Sequence, residues 1–180
     1  MRIGIAGCAG TGKSLLGKRL SVKLDMPFLA SKQITGPILE RDGYDYASGQ
    51  QVERFLATQE RQKEILKGTT QQQSLCRFVT GRTAIDLAAY AILEMDDPTA
   101  IKRHLDQCAQ LCAQYTHIFF CPWANKEPAD NHRRTLDPWY QFSVHAVELQ
   151  VADFLTAPLY RLRTSTVDDR IQEIMEILEA

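Results

Sequence analysis

The chain has no apolar run near the roughly 18 residues that a membrane-spanning helix needs. Its net charge is only −1, so there is no excess of positive charge to bind nucleic acid or an anionic membrane surface as a whole. Internal repeats, low-complexity tracts and flexible linkers are also missing. The five cysteines, Cys8, Cys76, Cys108, Cys112 and Cys121, are odd in number and show no paired spacing. A disulfide framework is therefore not expected, and reduced thiols in a cytoplasmic protein are. The opening residues carry no signal-peptide layout, which points the same way. What remains is a single globular domain over residues 1–180, long enough for one sizeable core.

Short apolar runs alternate with amphipathic stretches, the pattern of an α/β fold with a mostly parallel sheet. Strands are expected at 2–6, 28–30, 75–80, 117–121 and 159–163. Helices are expected at about 13–25, 32–42, 48–67, 83–95, 97–115, 137–156 and 166–178. On the first helix, Leu15, Leu16, Leu20 and Leu24 have spacings that suit the core side. Ser48 with Gln51 and Thr83 with Asp86 read as cap pairs, and Asp97-Pro98 and Asp137-Pro138 as helix starts. A doubly wound sheet built this way binds ligands at the carboxyl ends of its strands.

Residues 7–14, Gly-Cys-Ala-Gly-Thr-Gly-Lys-Ser, match G-x-x-x-x-G-K-[ST] between a strand and a helix. Glycines allow backbone angles and close approach that a Cβ would block. Successive amides can then point inward at an anion, aided by the helix N-terminus. Gly7, Ala9, Gly10, Thr11, Gly12, Lys13, Ser14 and Leu15 are the expected nucleotide-binding residues. Lys13 suits the β- and γ-phosphates of ATP, and the Ser14 hydroxyl suits Mg²⁺. Cys8 reads as a space-filler within the loop.

Two other signatures are absent. Guanine recognition by Asn-Lys-x-Asp fails, because Asn125-Lys126 is followed by Glu127-Pro128. The acid that ends a central strand in motor ATPases is also missing, since those strands lead into Cys121-Pro122-Trp123 and Thr80-Gly81-Arg82. Arg82 stands where a guanidinium can hold a phosphate or an acceptor. Asp86 can take a proton or hold a metal-bound water, or serve only as a helix cap. A polar stretch at about 122–138 reads as a lid whose Arg133 and Arg134 can stabilise a transferred phosphoryl group. Trp123, Trp139 and Tyr140 flank it and are expected to pack at its hinge. His104, Cys108 and Cys112 are not expected to bind zinc, since they span about 12 Å along one helix.

At Gly81-Arg82-Thr83-Ala84-Ile85-Asp86-Leu87-Ala88-Ala89-Tyr90 and Asp130-Asn131-His132-Arg133-Arg134, together with the loop, the chain resembles a P-loop family. These are the nucleoside and nucleotide kinases related to the ribosylnicotinamide kinase domain and phage deoxynucleotide kinases, with an AAA-type ATP-binding domain. The resemblance spans nearly the whole chain. It implies a three-layer P-loop NTPase fold, with a five-stranded parallel sheet flanked by helices and a lid loop. It also implies ATP-dependent phosphoryl transfer with Mg²⁺ to a nucleoside or (deoxy)nucleoside monophosphate. Residues about 31–68 would cover the acceptor, with Tyr44, Tyr46, Arg54, Phe55 and Gln59 as contacts, and the turn Thr164-Ser165-Thr166 would lie near adenine. Lys13, Arg82, Asp86, Arg133 and Arg134 would be the catalytic set. Two positions depart from the pattern: Gly81 replaces an aspartate, and Asn131 replaces a lid glycine. The other readings are a kinase of a hydroxymethylated base in phage DNA, which the charge does not favour, and a nucleotide-binding regulatory module with reduced catalysis. A small-molecule nucleotide is the expected partner, with no membrane, and a homodimer is left open.

Overall fold

The computed structural model describes residues 1–30, 77–123 and 137–180. The helices expected at 32–42 and 48–67, the acceptor-covering region 31–68, Cys76 and the lid residues 124–136 lie outside the described residues. Five strands form one parallel sheet: β1 (Arg2–Ala6), β2 (Phe28–Leu29), β3 (Phe78–Thr80), β4 (His117–Phe120) and β5 (Leu159–Arg161). Their spatial order is β2-β3-β1-β4-β5. Strand β1 pairs with β3 through Ile3↔Val79 and with β4 through Ile5↔Phe119. The five described helices are α1 (Lys13–Lys23), α2 (Ala84–Glu94), α3 (Pro98–Cys112), α4 (Pro138–Phe154) and α5 (Val167–Glu179).

The side-chain alternation of a strand divides the core into two layers. Ile3, Ile5, Val79 and Phe119 point to a face covered by Leu16 and Leu20 of α1 and by Ile171 and Ile174 of α5. Ala6, Phe78, Ile118 and Phe120 point to the other face, covered by α2, Cys108, Leu111 and Cys112 of α3, and Val151 of α4. The architecture is therefore the expected three-layer fold. Each fully buried Ile, Leu or Phe stabilises it by about 1.5–3 kcal/mol.

Local signals set the helix starts. Asp97 accepts from the Thr99 amide and Asp137 from the Trp139 amide, each at 2.9 Å, with proline in the first turn. Thr83 and Asp86 form a capping box. Leu15 departs from expectation: it is 54% exposed, because the inner face of α1 is carried by Leu16 and Leu20, and Leu15 falls about 100° away from that stripe. β3 ends at Thr80 as expected, while the strands ending at Leu29, Phe120 and Arg161 and the helix ending at Cys112 are shorter than the sequence pattern suggests. His104, Cys108 and Cys112 are buried in the α2–α3 layer, with His104 Nε2 3.3 Å from the Leu87 carbonyl. Cys8, Cys108, Cys112 and Cys121 are all buried thiols outside any disulfide.

Candidate functional site: a glycine loop beneath two carboxylates

The loop from Gly7 to Ser14 leaves β1, a central strand, at its carboxyl end. Gly7, Gly10 and Gly12 have φ of +133°, +85° and +87°, backbone that side chains with a Cβ rarely adopt. A Cβ on Gly7 would stand 2.7 Å from the Cys121 carbonyl oxygen, so the close approach of loop and β4 also needs glycine. Gly12 caps α1 with no side-chain hydrogen bond, and no acid lies in the helix's first turn. Among the described residues no side chain caps these amides, and the helix end favours an anion.

Lys13 turns back over this loop. Its ammonium donates to the carbonyls of Gly7 and Cys8, the latter at 2.8 Å, and lies 3.8 Å from Asp86 Oδ1. Thr11 Oγ1 also donates to the Cys8 carbonyl, at 2.9 Å. Asp86 is buried and does two things at once. Its Oδ2 accepts from the Thr83 amide at 2.8 Å and from the Thr83 hydroxyl at 2.7 Å, while Oδ1 faces Lys13. The helix-cap reading of Asp86 and its place beside the loop lysine therefore both hold. Arg82 follows β3 at the same end of the sheet, with its guanidinium carbon 5.2 Å from the centre of the Tyr90 ring. Lys13, Arg82 and Asp86 thus meet in one place.

Four further residues shape the site, and sequence reasoning did not single them out. Gln141 Oε1 accepts from the Ala9 amide at 3.0 Å and ties α4 to the loop. Arg170 of α5 is buried; its Nη1 donates to the Thr11 carbonyl at 2.6 Å and its Nε to the Thr164 carbonyl at 3.0 Å. Arg170 joins the loop to the turn that follows β5. Glu173 fixes that turn by accepting from the Arg163 amide at 3.0 Å and the Thr164 hydroxyl at 3.0 Å. Glu148 is fully buried on the inner face of α4. A signal for two of these was present: Gln141, Val144, Glu148 and Val151 recur at core spacing, so two polar residues occupy buried positions.

The flanking aromatics pack on one another. Trp123 meets Phe142 edge-on at 5.3 Å, Trp139 meets the same ring at 6.3 Å, and the Tyr140 hydroxyl bonds Glu94. Arg133 and Arg134 lie outside the described residues. Ser14 is exposed at the start of α1. Among the described residues no three His, Cys, Asp or Glu side chains converge as a metal cage. The Ser14 hydroxyl is an oxygen donor of the kind that Mg²⁺ takes.

Cys8 within the loop is fully buried. Burial pushes its thiol up to about 12, the negative charges of Glu148 and Asp86 add to this, and Lys13 opposes them. The thiolate is the reactive form, so Cys8 should resist alkylation at neutral pH by about 100-fold or more relative to a free thiol. Peptide mapping after iodoacetamide treatment, native against urea-unfolded, checks this; rapid native labelling of Cys8 is the contrary result.

No family model matches the chain, and no curated protein matches it by sequence. Solved structures do. Fold and loop together define a P-loop NTPase fold. The chain is similar to deoxyadenosine kinase from M. mycoides with bound dATP, with 17% identity, all of both chains covered and a TM-score of 0.71. It is similar to the NadR protein in complex with NR, with 16% identity and a TM-score of 0.72 over 99% of this chain and 52% of that one. A third likeness is to shikimate kinase from Acinetobacter baumannii in complex with shikimate, at 17% identity and a TM-score of 0.58, covering 99% and 92%. At these identities the likeness concerns the fold. No helix among the described residues is long and apolar enough to cross a membrane.

Proposed function

We propose that the chain transfers the γ-phosphoryl group of ATP, bound with Mg²⁺, to a nucleoside or (deoxy)nucleoside monophosphate. The observation that carries this is Lys13 on a positive-φ glycine loop, 3.8 Å from Asp86, at the carboxyl end of the central strands. Structural neighbours holding dATP and dCTP support a nucleotide as ligand. An acceptor oxygen attacks the γ-phosphorus, the bond to the β,γ-bridging oxygen breaks, and ADP leaves with the electron pair. Lys13 and Arg82 neutralise charge on the phosphates, as Arg133 and Arg134 of the lid would. Ser14 would hold Mg²⁺, which neutralises phosphate charge when bound. Asp86 would receive the acceptor's proton or hold a metal-bound water.

A coupled assay of ADP release against a panel of nucleosides and monophosphates tests the reading. Acceptor-dependent, Mg²⁺-dependent release is expected, and none with any acceptor overturns it. One observation favours the regulatory alternative: Gly81 carries no carboxylate, and the Phe28 ring stands 3.3 Å from where its Cβ would be. Tight ATP binding without turnover, unchanged by Gly81→Asp, would select that alternative.

A further inference from the structure

Glu148 is 0% exposed, and among the described residues neither carboxyl oxygen has a hydrogen-bond partner. A buried carboxyl in that state is costly, and native folds rarely keep one without a use. Its surroundings define the use. Its electrostatic neighbours among the described residues are Cys8 and Lys13 from the loop, Arg82 from the β3–α2 connection, Asp86 and Tyr90 from α2, and Cys121 after β4. One helical turn before it, Val144 packs with Cys8 and Tyr90. An ionised Glu148 offsets the positive charge of Lys13 and Arg82, and a neutral one leaves it.

We propose that Glu148 is a positioning residue for the phosphate site, acting through Lys13 and Arg82, and that its proton decides how much of their positive charge is left for a bound phosphate. The inference rests on the reading of the loop as a triphosphate site. Burial and the neighbouring Asp86 charge hold the Glu148 carboxyl well above the usual carboxylate range, against Lys13 and Arg82. Bound phosphate brings further negative charge and favours the proton more. Triphosphate binding is then coupled to a proton on Glu148. Affinity is full below the folded-state pKa of this group and falls as pH rises through it, by at most about tenfold per pH unit.

The test is ATP·Mg²⁺ binding by isothermal titration calorimetry, from mildly acid to mildly alkaline pH, in the wild type and in Glu148→Gln. Glutamine keeps the shape of the neutral carboxyl. The ligand's own titration is common to both proteins and cancels in the comparison. The wild type is expected to lose affinity more steeply with pH than Glu148→Gln, and the two should converge at the acid end. Repeating the titration in buffers of different ionisation heat should show the wild type taking up more protons on binding than the variant. If Glu148→Gln fails to fold, Glu148→Met supplies the same comparison. Equal pH slopes and equal proton uptake overturn the proposal, as does weak binding by the variant at every pH. A wild type that binds no triphosphate at any pH overturns the triphosphate reading itself, and the proposal with it.

Discussion

Lys13→Ala should lower acceptor-dependent phosphoryl transfer by about 100- to 1,000-fold, the usual consequence of losing one preorganised charge at a developing anion. The side chain is only 12% exposed, and its ammonium rests on loop carbonyls that it can leave for a phosphate without crossing the site. Arg82 is held over Tyr90, on another element. Lys13→Arg should recover little, because a planar guanidinium does not fit a pocket shaped for a compact ammonium. The substitution also leaves Asp86 facing an empty space, so some stability is lost with the activity. Steady-state kinetics together with a thermal melt separate the two effects: transfer should collapse while the cooperative unfolding transition persists. Near-normal turnover in Lys13→Ala would remove this lysine from the site.

Gly7→Ala should destabilise the fold by at least about 2 kcal/mol and abolish triphosphate binding. Two costs combine at this position. The φ of +133° is strained for any residue with a Cβ, and the Cβ would press to 2.7 Å on a backbone oxygen of Cys121, which cannot rotate aside. Gly12→Ala is the control. Its φ of +87° is also unfavourable, but the nearest atom to its Cβ would be Arg170 Nη1 at 3.7 Å. Denaturant unfolding should therefore rank Gly7→Ala well below Gly12→Ala, and equal losses would contradict the clash argument.

The parts of the molecule that were legible in advance are those dictated by local chemistry. A glycine loop between an apolar strand and an amphipathic helix has one good physical use, and the Asp-Pro pairs at 97 and 137 can start a helix whatever surrounds them. Strand order is different, because β1 meets β3 and β4 only after long crossovers, and nothing local encodes which neighbours meet. Strand length follows the same rule: nothing local marks that β5 ends at Arg161 and not at Arg163. Leu15 shows the limit of apolar identity as a guide, since its position around α1 points it outward. Glu148 shows the opposite limit. A glutamate on a helix ordinarily faces water, and only its register with Val144 and Val151 marks it as interior. Gly81 was visible as a missing carboxylate, but the ring of Phe28 beside that position needed the fold.

The loop is proposed to present ATP to an acceptor. Its most direct test follows label from [γ-³²P]ATP in the presence of Mg²⁺ and a mixture of nucleosides and monophosphates, with Lys13→Ala as control. Label appearing in a nucleoside phosphate with the wild type, and not with the variant, is the result predicted. Label that stays in ATP or passes only to inorganic phosphate, while the wild type binds ATP tightly, would contradict it.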